Sequence, residues 1–119
     1  CKVCPPGWHL PTSAEWDTLI VFLGGKSEAG AHMKDTLSQR WNDLGGSVSN
    51  LSGFTALPEG VRRFDGRYSY FNKYTYFWSA DTGRTADEGW CYALDGPQKR
   101  IHRVSWDGDN GLSVRCIKD

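Results

Sequence analysis

A helical spacing of apolar residues begins soon after the prolines near the start of the chain. The residues at positions i, i+3, i+4 and i+7 of this pattern are Trp16, Leu19, Ile20 and Leu23. Thr12 and Glu15 match a capping box, in which the Thr12 hydroxyl caps the first turn and the Glu15 side chain reaches back. The Gly24-Gly25 pair ends the pattern, because glycine favours helix ends. The sequence therefore predicts a helix over residues 13–23.

A shorter helix is predicted over residues 28–36, and a Gly/Ser/Asn-rich loop over 41–53. From Phe54 onward the pattern changes to short β-strands. The predicted strands cover residues 61–64, 67–70, 76–79, 90–94, 100–106 and 112–118. The first two form a hairpin with a tight turn at Asp65-Gly66. Helices followed by many short antiparallel strands indicate an α+β fold.

Length and charge narrow the possible functions. The chain has 119 residues, with 14 basic and 14 acidic side chains, and fits one domain over residues 1–119. The balanced charge argues against nucleic acid, whose binding depends mainly on phosphate neutralisation. No apolar run approaches about 18 residues, so this domain is not expected to insert into a membrane. The sequence opens on Cys1 without a visible signal peptide, which indicates a processed protein or one domain of a larger surface protein.

Aromatic residues are frequent, with 6 Trp, 5 Tyr and 5 Phe beside 14 Gly. Most of these rings are expected in the core. Exposed Tyr and Trp would supply large, rigid contact surfaces at low entropic cost.

Four cysteines allow three disulfide pairings. A zinc site would require all four to converge, and the three histidines are scattered. Two long-range disulfides are preferred, Cys4 with Cys116 and Cys1 with Cys91. Strand alternation over residues 112–116 would turn Cys116 inward, which suits a buried bridge. Disulfides indicate an oxidising compartment: secreted, periplasmic or cell surface.

Four ordered motifs carry a family resemblance. They are Cys-Pro-Pro-Gly-Trp-His-Leu-Pro-Thr-x-x-Glu-Trp at 4–16, Gly-Phe-Thr-Ala-Leu-Pro-x-Gly at 53–60, Phe-Trp-Ser at 77–79 and Ser-Val-Arg-Cys-Ile-Lys-Asp at 113–119. The chain resembles the Fibrobacter succinogenes major paralogous domain family of bacterial surface and secreted proteins. The resemblance implies a C-type-lectin-like fold, related to formylglycine-generating enzymes, with N-terminal helices packed on a twisted antiparallel sheet that carries long loops. Cys4 and Cys116 match the family's usual cysteines, whereas Cys1 and Cys91 are extra.

Catalytic motifs are not evident in the sequence. It has no Gly-x-Ser-x-Gly, no His-Glu-x-x-His and no phosphate loop. His9 is expected to be structural, and Glu15 is used in capping. A formylglycine-generating enzyme would need reactive cysteines, for which Cys91 and Cys116 are the formal candidates. Disulfides explain the same cysteines more simply, so we expect no enzymatic activity.

The candidate ligand residues lie in two late loops, 80–90 and 95–111, because C-type-lectin-like folds usually bind ligands there. They are Asp81, Arg84, Asp87, Glu88, Trp106, Asp107, Asp109 and Asn110. An exposed indole can stack on the C–H face of a sugar while carboxylates and amides bind its hydroxyls. The same residues would also serve a protein-binding patch, and a buried Trp106 beside solvated acids is the structural alternative.

Calcium is the one cofactor for which the sequence offers a candidate site. Asp107, Asp109 and Asn110 supply oxygen ligands in a glycine-containing turn. The turn lacks the remainder of a twelve-residue calcium loop, and a solvated Asp/Gly turn is the alternative.

The sequence as a whole predicts a non-catalytic extracellular recognition module with a glycan of plant or host origin as the favoured ligand. The alternatives are a structural or adhesion module that binds surface proteins and a formylglycine-generating-like enzyme.

Overall fold

The computed structural model describes residues 2–41 and 48–119. Helices and antiparallel strands are both present, which confirms the predicted α+β composition. In chain order the elements are β1 (Trp8–His9), α1 (Ser13–Phe22), α2 (Ala29–Met33), β2 (Val61–Arg62), β3 (Tyr68–Ser69), β4 (Tyr74–Thr82), β5 (Glu88–Asp95), β6 (Ile101–Asp107) and β7 (Ile117–Lys118).

The strands form one central sheet and two small ones. β4, β5 and β6 make an antiparallel three-stranded sheet in that order, while β1 pairs with β7 and β2 with β3. The register of β4 against β5 shifts between Trp78 and Thr82. Such a bulge bends a strand and redirects its side chains, which becomes important at the end of β4.

Helix α1 begins where the capping box predicts. The Thr12 side chain accepts a hydrogen bond from the Glu15 amide, and the Glu15 carboxylate accepts one from the Thr12 amide. The helix ends at Phe22, one residue before the predicted end, and Gly24 and Gly25 follow with positive φ. The start and the stop of this helix are therefore both encoded locally.

The main core fills the space between the helices and one face of the central sheet. Trp16 of α1 stacks on Tyr92 of β5 with ring centroids 5.2 Å apart, and lies 5.8 Å from Phe77 of β4. The other fully buried members include Ile20, Met33, Trp41, Leu94 and Ile101. Each such side chain contributes about 1.5–3 kcal/mol when buried. Of the three residues that alternate on one face of the predicted strand over 90–94, Tyr92 and Leu94 lie in this core, whereas Trp90 is partly buried outside it.

A second cluster covers the opposite face of the central sheet. Its buried members are Val61, Tyr76, Cys91 and Ala93. Trp106 packs against them, with its ring 5.1 Å from that of Tyr76. Both faces of the sheet are consequently occupied.

The two ends of the described chain lie together. β1 pairs with β7, and Cys4 is bonded to Cys116, which confirms the predicted pair. Cys91 is fully buried in β5 with a free thiol, and burial raises its pKa to about 12. Cys1, the predicted partner of Cys91, lies outside the described residues.

Three element predictions need correction. The predicted strand over 112–118 is reduced to β7 and isolated bridges at Gly111 and Ser113, because this segment crosses between neighbours instead of following one strand. The hairpin strands are two residues each, and the connection spans 63–67 instead of two residues. The predicted ligand loop over 80–90 shortens to 83–87, since β4 extends through Thr82 and β5 begins at Glu88.

Candidate functional site

A groove of about 330 Å³ lies at one end of the central sheet, where β4 ends and β5 begins. The connecting loop and the turn after β6 complete it. Its lining includes Leu10, Trp78, Asp81, Asp87, Glu88 and Gly108. The structure therefore brings three of the predicted ligand residues, Asp81, Asp87 and Glu88, to one concave surface.

The bulge in β4 determines where Asp81 lies. Ala80 donates its amide to the Pro11 carbonyl at 2.8 Å, so this part of the strand joins the segment before α1. One oxygen of Asp81 accepts a hydrogen bond from the Ser13 amide at 2.5 Å. Negative charge is favourable at a helix N-terminus, where amides lack helical partners. Asp81 thus stabilises α1 as well as lining the groove.

Glu88 and Asp87 are positioned by contacts with β6 and its turn. The Ser105 hydroxyl donates a hydrogen bond to the Glu88 carboxylate. The Asp87 carbonyl accepts from the Gly108 amide at 2.8 Å, while its side chain is exposed. Glu88 is consequently oriented from the protein side, and Asp87 faces solvent.

Trp78 supplies the aromatic surface of the groove. Gly89 faces its ring so closely that a Cβ at that position would lie 2.8 Å from a ring carbon. The Trp78 indole packs against the second cluster and lines the same groove as the three carboxylates. Trp78 is not predicted as a site residue, because an apolar strand predicts burial. The only local signal was an indole that stands three residues before an aspartate.

Trp106 and Arg84 do not form the predicted ligand surface, in which the Trp106 indole is exposed. Trp106 is partly buried against Tyr76, although it also pairs with Gly89 across the β5–β6 register. Arg84 donates its amide to the Ser105 hydroxyl at 3.0 Å, and its guanidinium lies 6.0 Å from the Trp90 ring. Arg103 lies nearer to that ring, at 4.3 Å.

The predicted calcium turn is tied to the hairpin. The Asn110 side chain accepts from the Phe64 amide at 3.2 Å and donates to the Asp107 carbonyl at 3.1 Å. Asp107 and Asp109 are exposed. Within residues 2–41 and 48–119, no cluster of three or more His, Cys, Asp or Glu side chains is placed to hold a metal ion.

Two other concave surfaces among the described residues lack this combination of groups. A cavity of about 210 Å³ between α1 and the Cys116 segment has mostly apolar walls, including Trp16, Leu19 and Phe54. A larger cavity of about 570 Å³ is lined by residues 2–10, which include the indole of Trp8 but no carboxylate. The groove joins an indole to several carboxylates, so it is the candidate site.

The comparison with known protein families agrees with the four sequence motifs. The family model of the Fibrobacter succinogenes major domain matches residues 1–118. The chain belongs to this family. No curated protein and no solved structure matches it. In this Fibrobacter succinogenes major domain, the Cys4–Cys116 bond joins the first and the last of the four motifs.

The groove of this Fibrobacter succinogenes major domain presents hydrogen-bond acceptors beside an apolar ring. Carboxylates bind hydroxyl donors, and an indole face packs against C–H groups.

Across the part of the chain that the structure describes, no helix is long and apolar enough to span a membrane.

Proposed function

We propose that this domain is a non-catalytic extracellular recognition module that binds a glycan in the groove. The observation that supports the proposal is the indole of Trp78 beside Asp81, Asp87 and Glu88 in one concavity. A sugar ring offers hydroxyls to the carboxylates and a C–H face to the indole, so its chemistry fits both parts. Trp78 takes the stacking role that the sequence assigned to Trp106.

The cysteines support a non-catalytic role. A formylglycine-generating site would use Cys91 and Cys116 as reactive thiols. Cys116 is instead bonded to Cys4, and burial raises the pKa of Cys91, which disfavours its thiolate.

An extracellular location and a C-type-lectin-like fold are part of the same proposal. The Cys4–Cys116 bond suits an oxidising compartment. Paired chain ends, helices against one face of the sheet and loops at the end of the late strands suit the lectin-like architecture. An experimental structure superposed on C-type lectins tests the fold, and a different strand order would contradict it.

The groove is tested by a glycan array with the oxidised domain, in calcium and in chelator. We expect saturable binding that Trp78→Ala weakens at least about tenfold, because a central stacking ring contributes more than 1.4 kcal/mol. Trp8→Ala is the matched control, since Trp8 is an exposed indole on β1 and outside the groove. Loss of binding in chelator would add calcium to the site.

The second candidate, a surface module that binds protein, rests on an exposed apolar pair. Val21 and Phe22 are 75% and 84% exposed at the end of α1. Silence across a broad array in both buffers would overturn the glycan proposal. Pull-down of a surface protein that Phe22→Ala prevents would then favour this candidate.

A further inference from the structure

The outward face of the β2–β3 hairpin carries aromatic rings that the core does not use. Arg62 of β2 lies directly opposite Tyr68 of β3. The neighbouring Val61 is buried against the second cluster, so strand alternation turns Arg62 and Tyr68 outward. We call residues 62–73 the hairpin surface.

Three rings of the hairpin surface are mostly in solvent. Phe64, Tyr68 and Phe71 are 67%, 75% and 59% exposed. Single exposed apolar residues are ordinary, but these three rings lie within eight residues of the chain, and exposed apolar groups that gather in one region mark binding surfaces.

The adjoining rings are held in place by packing. Tyr70 lies 5.3 Å from Tyr74, Tyr74 stacks on Tyr76 at 6.0 Å, and Tyr76 contacts Trp106. A row of rings thus connects the hairpin surface to the interior of the second cluster. A pre-positioned ring loses little entropy when a ligand binds.

Phe71 is fixed from a different direction. Arg40 stacks over its ring at 4.7 Å and donates to Glu59 and Asn72 at 2.8 Å each. Its position is therefore set by a charged network outside the strands.

The backbone beside these rings is strained. Tyr70 and Asn72 have φ of 64° and 62°, in the left-handed region. A bulky tyrosine rarely adopts this conformation, and such strain is concentrated at functional sites. The strained Tyr70 directly precedes Phe71, whereas Asn72 follows it in a conformation that asparagine adopts readily.

The surface is also basic, although the whole chain has a net charge of 0. Residues 62–73 carry four cations, Arg62, Arg63, Arg67 and Lys73, and one carboxylate, Asp65, which leaves a local charge of +3. Asp65 is already paired with Arg67. The exposed carboxylates of Asp107 and Asp109 lie on the adjoining turn, which Asn110 connects to Phe64. Among the described residues, Arg62, Arg63 and Lys73 form no ion pair.

We propose that the hairpin surface is a second binding site, separate from the groove, whose ligand is an acidic polysaccharide. Its rings pack against sugar C–H faces, and its unpaired cations bind uronate carboxylates. A neutral glycan would leave the cations unused. A nucleic acid is less well suited, because the chain has no wider basic field to follow a phosphate backbone.

Polygalacturonate and its fully methyl-esterified form are the probes, since they share a backbone and differ in charge. Affinity electrophoresis or calorimetry of the oxidised domain should show binding to polygalacturonate and at least about tenfold weaker binding to the ester. Binding should also weaken as salt rises, because exposed charges are screened. The two variants Tyr68→Ala and Arg62→Gln should each weaken binding severalfold.

Control variants separate this site from the groove. Trp8→Ala, which removes an exposed indole on β1 outside both surfaces, should bind polygalacturonate as the wild type does. An unchanged melting temperature in Tyr68→Ala would show that the loss is local. The proposal is overturned if Tyr68→Ala binds normally, if the ester binds equally well, or if Trp78→Ala alone abolishes binding. Tighter binding of oligo(dT) through Tyr68 would identify a nucleic-acid site instead, and would also overturn it.

Discussion

Gly30 determines how closely α2 approaches the β5–β6 turn. A Cβ at this position would lie 2.4 Å from the Arg100 carbonyl oxygen and 2.7 Å from that of Lys99. The Ala31 amide donates to the same Lys99 carbonyl at 3.0 Å. The helix therefore contacts the turn through its backbone, which only glycine permits.

Gly30→Ala should destabilise the domain, although alanine is the better helix former by about 1 kcal/mol. The new methyl group must displace two carbonyls, and such overpacking costs about 1–3 kcal/mol. Urea unfolding followed by tryptophan fluorescence measures the difference. Thr18→Ala, at an exposed position of α1, is the control and should have little effect. A Gly30→Ala protein that is more stable than wild type would show that α2 does not dock in this way.

Lys34 is a second residue in an unusual environment, because its ionisable side chain is buried. It is fully buried, and its ammonium donates to the carbonyls of Asp95 and Gln98 at 2.6 and 2.5 Å. Lys34→Met should cost about 2 kcal/mol, because it leaves buried acceptors without a donor. Urea unfolding of Lys26→Met, which alters an exposed lysine, provides the comparison.

The same lysine should make stability depend on pH. Burial lowers the pKa of Lys34 from 10.5 to about 8. The unfolded chain therefore binds the proton more tightly, so wild-type stability should rise relative to Lys34→Met between pH 8 and 10.5. Burial raises the pKa of Tyr92 to about 12, which acts in the opposite direction at high pH but affects both proteins equally. A constant difference between the two proteins across this range would refute the expectation.

At the scale of elements, His9 connects β1 to α1 and to the last residue of the chain. Its ring nitrogens lie 2.6 Å from the Asp119 carboxylate and 2.9 Å from that of Glu15. These hydrogen bonds, to Asp119 first and then to Glu15, raise the pKa of His9 above 6.5. The stabilisation is thus complete below pH 6.5 and is lost as pH rises through the folded-state pKa.

An NMR titration of the His9 ring tests this network. Its midpoint should lie above 6.5 in the wild type and move toward 6.5 in Glu15→Gln, which keeps the shape of the side chain and removes its charge. Asp109→Asn removes an exposed carboxylate elsewhere and should leave the midpoint unchanged. Equal midpoints in all three proteins would mean that the capping glutamate does not contact His9 in solution.

Elements differ in how far the sequence predicts them. Helix α1 is predicted almost to the residue, because the capping box and the glycine pair act within a few positions of the helix ends. β5 is predicted from its alternation, since one face packs on Trp16. The segment 112–118 is wrong as a strand, because its partners, Phe77 among them, are remote in sequence. Alternation alone does not reveal such long-range pairing.

In the candidate site, too, the sequence predicts the local features and not the long-range ones. Asp81, Asp87 and Glu88 of the 80–90 region line one groove, since they are local in sequence. The contribution of Trp78 depends on the β4 bulge and on Gly89, neither of which leaves a periodic signal. Trp106 was expected to be exposed, but the row of tyrosines beneath the hairpin partly buries it.

At the scale of the whole molecule, one covalent bond joins the chain ends. Cys4 and Cys116 are 112 residues apart, with Cα atoms separated by 5.9 Å, and the bond lies beside the two-residue pairing of β1 with β7. Closing a loop of this length stabilises the fold by about 4–5 kcal/mol in the chain-entropy treatment. Two-residue strands contribute little by themselves, so the bond is expected to hold this small sheet together.

Replacing both cysteines, Cys4→Ser with Cys116→Ser, should therefore lower the free energy of unfolding by about 4 kcal/mol. Urea unfolding measures this loss of free energy, and hydrogen exchange shows which part of the fold it affects. The β1 and β7 amides should lose protection first, while those of β5 stay protected until global unfolding. Reductant should leave the free energy of unfolding of the double variant unchanged. It should lower that of the wild type to the same value. If the double variant unfolds at the wild-type urea concentration, the chain ends are held by packing around His9 and Ile117, and the bond is not a main source of stability.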